Sequence, residues 1–311
     1  MTATETASAW PAPRRKLEKV VIAYGGRGGS DDALAVGTWI AASTGDQPVV
    51  TTVYPKEPVT VLPGIGADWV KTLQADARAV QARAQEYVRA HEEVPVKPQY
   101  RVVGASSAAA GLDQVAERTQ ALLLVVGSSG KGVHRRVSNN HTANRLLQGS
   151  PVPVLLAPRG FAERRPGSPL DRVGCAFVPT REGRNALRQA AGLAQRARAR
   201  LEVFTVLGPT AEQPRDDDRA RRDFFERTRT AMGEAVRAEA DGLSGDLEVG
   251  IHLLDGDVVN SLAALDSEDC QLLVCGSRGY GPVRRVLLGG VVERLARRAA
   301  TPLVVVPRSA R

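Results

Sequence analysis

The sequence predicts an α/β protein made of two repeated, doubly wound domains, each a five-stranded parallel sheet with helical crossovers. Three observations predict it. The chain has 311 residues, about twice a common single domain. Its second half repeats its first: residues 123–137, LLVVGSSGKGVHRRV, lie over residues 272–286, LLVCGSRGYGPVRRV, without a gap. Within each half, short runs rich in Val and Leu alternate with longer helical patterns.

The repeat continues from Pro153-Val154-Leu155 over Pro302-Leu303-Val304 to Pro158-Arg159 over Pro307-Arg308. Upstream, Ala33-Leu34 match Ala186-Leu187, and Gly104 after an extended segment matches Gly256. A period this long is two copies of a domain rather than a solenoid. The expected organisation is a disordered tail over 1–16, a first domain over 17–159, a Pro/Gly-rich linker over 160–169 and a second domain over 170–308.

In chain order, the first half places strands at Val20–Tyr24, Val49–Tyr54, Tyr100–Val103, Leu122–Val126 and Val152–Ala157. The second places them at Val173–Val178, Leu201–Leu207, Leu247–Leu254, Leu272–Cys275 and Leu303–Val306. Apolar runs without polar alternation suit strands buried on both faces. Between them, Asp31–Thr44, Trp69–His91, Glu182–Arg198 and Val291–Ala299 read as helices; in the second of these Leu73, Ala77, Val80, Ala84 and Tyr87 form one apolar stripe. Asp216, Asp217 and Asp218 stand where the next long helix begins, at its positive dipole end.

Composition narrows the function. No apolar run approaches the roughly 18 residues of a membrane helix, and the opening MTATETASAWPAPRRKLEK lacks the apolar segment of a signal peptide, so a cytoplasmic location without membrane contact is expected. Cys175, Cys270 and Cys275 lie in apolar stretches without C-x2-C spacing and read as buried free thiols. The net charge of +8 raises nucleic-acid binding. Yet much of the arginine alternates with acids, as in RDDDRARRDFFERTR over 215–229, and a 4% aromatic content supplies few stacking platforms.

The ligand crevice of an open parallel sheet lies beyond the strands' carboxyl ends, where the winding reverses. There the fourth strand of the second half ends in Gly276-Ser277-Arg278-Gly279, followed after nine residues by Gly289-Gly290 at a helix start. Glycines leave amides uncovered, and the helix start adds unpaired N–H groups, so the segment suits phosphate oxygens, with Arg278 or Arg284 as charged donors. Two commoner phosphate motifs fail. In GSSGKG over 127–132 the lysine precedes glycine instead of Ser or Thr, and GGRGG over 25–29 lacks the dinucleotide spacing.

The repeat together with the G-x2-G-x9-G pattern resembles the universal stress protein family in its tandem, actinobacterial form, over about Leu17–Arg308. Its most specific stretch is GSRGYGPVRRVLLGGVVERLARRAATPLVVVP, and AFVPTREGRNAL over 176–187 resembles the opening turn of second domains. The resemblance implies an adenine nucleotide alpha hydrolase-like fold, cytoplasmic location, pairing of the two domains about a pseudo-twofold axis, a homodimer as a further level of assembly, and a role in stress adaptation. It also implies ATP or another adenine nucleotide as ligand. The residues carried over to that site are Thr180, Gly276, Ser277, Arg278, Gly279, Gly289, Gly290 and Val291, with Gly25, Gly127 and Gly130 as a weaker first-domain counterpart.

Departures from the pattern bear on that site. Gly290 stands where the family has Ser or Thr, and Val178 replaces the acid that ends the first strand, leaving Thr180 as the nearest hydroxyl. In the first half Asn140 and His141 replace Gly-[ST], and Tyr24 stands in for the acid, so this site reads as degenerate, although Gly25–Gly29 still offers an amide-lined turn.

Catalytic constellations are scarce. His91, His134, His141 and His252 belong to no H-E-x-x-H or G-x-S-x-G pattern. The acid pairs Asp31-Asp32 and Glu92-Glu93 read as helix-end residues. Asp255 and Asp257 are the one carboxylate pair worth testing for metal, against a reading as turn and cap. The expectation is a non-enzymatic protein without a metal, binding an adenine nucleotide in its second domain. Its alternatives are an interaction or scaffold protein of the same fold with an unidentified protein partner, and, behind both, nucleic-acid binding.

Overall fold

The computed structural model describes residues 17–56, 65–91, 94–127, 141–207, 219–243, 246–277 and 290–308. The first half runs β1 (Lys19–Ala23), α1 (Ser30–Thr44), β2 (Gln47–Pro55), α2 (Ile65–His91), β3 (Gln99–Ala105), α3 (Ala108–Thr119), β4 (Leu123–Gly127), α4 (His141–Gly149) and β5 (Val154–Ala157). The second runs β6 (Arg172–Ala176), α5 (Arg181–Ala197), β7 (Arg200–Leu207), α6 (Arg219–Asp241), β8 (Val249–Asp255), α7 (Val258–Ala263), β9 (Leu272–Gly276), α8 (Gly290–Arg298) and β10 (Leu303–Val306). The expected tail over 1–16 and Asp216–Asp218 lie outside the described residues.

All ten strands form one sheet in the order β3-β2-β1-β4-β5-β10-β9-β6-β7-β8. Pairing is parallel within each half, and the order 3-2-1-4-5 reverses direction at β1, as expected for a doubly wound sheet. The halves join through β5 and β10, which pair antiparallel with Leu303 opposite Leu156 and Val305 opposite Val154. Every residue of these two short strands is at most 2% exposed. Each half alone would leave that apolar edge with unpaired backbone groups in water, and the junction satisfies both edges at once.

The two outermost strands depart from the expectation of full burial: β3 is half-buried throughout, and β8 is half-buried or exposed. Edge strands meet solvent along one side, and an apolar run in sequence does not reveal which strand will be outermost. Register also corrects one repeat match. Gly104 lies opposite Tyr54 and Asp255 opposite Leu207, so Gly256 corresponds to Ala105.

Helices cover both faces. Side chains from α1, α2, α5 and α6 close one core with Val20, Ile22, Val173 and Cys175. Those of α3, α4, α7 and α8 close the other with Val21, Leu124, Leu273 and Cys275. On α2 the expected stripe is the covered face, and Gln81 joins it by donating to the carbonyls of Val50 and Arg101. From Asp32 onward α1 is buried all round. It tolerates Thr38, Ser43 and Thr44 there because their hydroxyls bond back to the carbonyls of Leu34, Trp39 and Ile40 at 2.7–2.9 Å.

The segment between the halves packs onto α1. Phe161 meets Trp39 at 5.8 Å between ring centroids, Ala162 N donates to Asp32 at 3.0 Å, and Trp39 Nε1 donates to Ser168 O at 2.9 Å. A second tie comes from α5. Arg196 reaches Glu18 and the buried Asp46, whose Oδ1 also accepts from Glu18 N at 3.0 Å.

Candidate functional site

Each half has its crevice at the sheet's switch point, between β1 and β4 and between β6 and β9. In the first half the chain leaves β1 through Tyr24 and Gly25 and enters α1 after Gly29, whose φ of 73° closes the turn in a conformation open to glycine. Gly127, at the end of β4, sits against that turn: a Cβ there would lie 2.0 Å from the Gly29 carbonyl. Gly127 is therefore required by the approach of two backbone segments, whatever the crevice holds.

The amide-lined turn expected at Gly25–Gly29 is partly spent. Ser30 Oγ accepts from Gly25 N and Arg27 N at 3.2 and 3.3 Å and donates to Arg27 O at 2.7 Å. The Tyr24 ring is buried, its amide donates to Thr51 O and its hydroxyl donates to Asp31 at 3.1 Å. Burial, then the Asp31 charge and hydrogen bond, push its hydroxyl up to about 12. What remains is a cavity of about 170 Å³ bordered by Tyr24, Gly25, Arg27, Thr51, Gly127 and Thr142. That is below the roughly 300–1,000 Å³ of common small-molecule pockets.

Hydrogen bonding corrects the equivalence between the halves. Tyr24 N donates to Thr51 O, and Thr52 Oγ1 donates back to Tyr24 O. Phe177 N donates to Phe204 O, and Thr205 Oγ1 donates back to Phe177 O. Tyr24 therefore matches Phe177, and the counterpart of Val178 is Gly25 instead of Tyr24. If Val178 holds the family's acid position, the first half has no side chain there at all.

In the second half Thr180 caps α5, its Oγ1 accepting from Gly183 N at 3.1 Å. A hydroxyl that accepts this bond retains its proton to donate. Gly276 ends β9 beside Val306. Ser277 is buried, and its amide donates to Val306 O at 2.9 Å, so it extends the sheet instead of facing the crevice. Gly290 opens α8, and among the described residues no atom lies within 4 Å of where a Cβ on it would stand. Its carbonyl accepts from Arg294 Nε at 3.3 Å. Val291 is buried, and Val292, Leu295 and Ala296 seat α8 on the core. Gly130, Asn140, Arg278, Gly279, Arg284 and Gly289 lie outside the described residues, as does the side chain of His141.

The other candidates find structural roles. Asp257 caps α7 by accepting from Asn260 N at 2.9 Å, and Asp255 takes both its oxygens to Arg229 Nη1 at 3.0 Å. Asp31 and Asp32 occupy the first turn of α1 without capping it; they hold Tyr24 and Ala162. His91 stacks on Tyr87, and His252 stacks on Phe204 while contacting Glu202 at 2.7 Å. Among the described residues no cluster of three metal-ligating side chains occurs, and no helix is long and apolar enough to cross a membrane. Sequence reasoning missed Ser30, whose only signal was its place one residue after the glycine turn, and the Arg196 tie, which has no local signature.

The profile of the Universal stress protein family matches this chain twice, over residues 16–158 and 170–307. The chain belongs to the universal stress protein family. Universal stress proteins of Mycobacterium tuberculosis and Mycobacterium bovis are each 29% identical over 263 residues, covering 83% of this chain and 89% of theirs. A universal stress protein from Archaeoglobus fulgidus superposes with a TM-score of 0.64 at 18% identity, covering 94% of this chain and all of its own. As a tandem universal stress protein, the chain carries two copies of the family domain in one ten-stranded sheet.

Proposed function

We propose that this tandem universal stress protein is a non-catalytic adenine-nucleotide sensor that holds ATP in the crevice of its second half. One observation carries the reading: Gly290 opens α8 at the end of the G-x2-G-x9-G segment that leaves β9, and no atom of the described residues lies within 4 Å of where its Cβ would stand. A helix start of this kind directs unpaired amides and a partial positive charge toward phosphate oxygens. Thr180 supplies a hydroxyl at the start of α5, and Gly276 brings the chain to the crevice. Arg278, Gly279 and Gly289 complete the phosphate loop in this reading. The first half, with its small cavity and with Ser30 occupying two turn amides, is the weaker or empty site.

Calorimetric titration of the full chain with ATP, ADP and cyclic AMP tests this. Binding by the wild type and its loss in Gly290→Asp is expected. The aspartate meets no described residue within 4 Å of its Cβ and suits a helix start, so it preserves α8 while repelling phosphate. Absence of heat and of any melting shift at millimolar nucleotide would refute the proposal. A ligand-free interaction protein is the second reading, favoured by the Ser277 amide spent on Val306 and by Val178 at the strand end. In that case Gly290→Asp leaves the biological role intact.

A further inference from the structure

The two halves differ most at a second pair of related cavities, away from the crevices. In the first half, Phe161 and Ala162 fold back over α1 against Trp39 and Asp32. The matched Ala33-Leu34 and Ala186-Leu187 make Gly192 the counterpart of Trp39, and among the described residues no atom lies within 4 Å of where a Cβ on Gly192 would stand. The same alignment replaces Gly28 by Arg181, Asp32 by Asn185 and Ala35 by Arg188. The corresponding place in the first half is a cavity of about 520 Å³ lined by Asp31, Asp32 and Glu163 beside Arg159, whereas the second half presents a cationic face.

That face borders a cavity of about 320 Å³ between α5 and the end of β10, lined by Arg181, Glu182, Asn185, Arg188, Gln189 and Arg308. Three arginines oppose one glutamate, and among the described residues that glutamate's ion pair is with Arg308, at 3.8 Å. Arg181 and Arg188 stand two turns apart on one face of α5, both are exposed, and neither pairs with an acid among the described residues. The cavity is also separate from the nucleotide crevice. α5 packs on the sheet face that carries Val304 and Val306, whereas α8 packs on the face that carries Leu303 and Val305.

We propose that this cavity binds a small phosphorylated anion through Arg181, Arg188 and Arg308. Guanidinium groups match phosphate oxygens two at a time and stay charged at any working pH. The carboxamides of Asn185 and Gln189 border the same space and add neutral donors. The volume admits a group of pyrophosphate size or larger.

Inorganic pyrophosphate, titrated into the full chain at physiological ionic strength, is the probe. Wild-type protein is expected to bind it with a rise in melting temperature. In a Gly290→Asp background, which closes the crevice to phosphate, Arg181→Gln/Arg188→Gln weakens the remaining binding at least about tenfold. Side-chain Nε–H resonances of Arg181, Arg188 and Arg308 should move in the wild type, a readout independent of any variant. Lack of binding at millimolar pyrophosphate overturns the proposal. So does binding in that background that survives the double substitution, or binding that Gly290→Asp alone abolishes, since the latter assigns the anion to the crevice.

Discussion

Tyr24 gives its hydroxyl proton to Asp31 from a nearly closed position, and that position makes the side chain a reporter of local packing. Unfolded tyrosine titrates near pH 10, whereas the folded hydroxyl is pushed up to about 12. Between those values the folded chain keeps a proton that the unfolded chain has lost. The stabilisation is therefore whole below about pH 10 and drains as pH rises toward 12. Tyr24→Phe should cost about 0.5–1.5 kcal/mol at neutral pH and flatten part of the alkaline decline, as read by urea unfolding at both pH values. The cysteines behave as inert residues: burial pushes the Cys270 and Cys275 thiols up to about 12, and Cys175 is raised in the same way. A thiol reagent at pH 8 should label none of the three in the native state and all three after denaturation.

Among elements, the contact of β4 with the start of α1 separates a structural glycine from a functional one. Gly127→Ala drives a methyl into the Gly29 carbonyl and should destabilise the fold by about 1–3 kcal/mol, by the same amount with and without nucleotide. Equal melting shifts in both conditions would confirm it, and a loss of ligand binding at unchanged stability would contradict it. The elements themselves were legible in sequence because buried parallel strands are apolar throughout and their ends fall at glycines and prolines. Leu303–Val306 was read to the residue. The slip that set Tyr24 beside Val178 arose where the repeat has few identities, so that only hydrogen bonds fix the register. Ser30 was invisible for a related reason: a hydroxyl that fills its own turn looks in sequence like any polar residue near a helix start.

For the whole molecule, the junction of β5 with β10 and the Arg196 tie hold the halves together. Arg196→Met leaves Asp46 buried, with an oxygen that already lacks a partner, and should cost about 1–3 kcal/mol. Asp46→Asn in the same chain should recover part of that loss in a double-mutant cycle. A protease site inserted between the exposed Gly167 and Ser168 should yield a nicked protein that still elutes at full mass, because the strand pair, not the covalent link, joins the halves. Separation of the fragments would disprove this. Two repeats were plain in the sequence, but the fusion of their sheets was not. Several strands are apolar enough to serve as a joining edge, and only the three-dimensional order shows which two do.

The antiparallel seam has a geometric consequence for recognition. Strand polarity inverts across it, so the mouths of the two switch-point crevices open toward opposite poles of the chain. A macromolecule that covers one pole leaves the other in solvent. The repeat thereby forms a two-ended body whose poles carry different residues around one shared architecture.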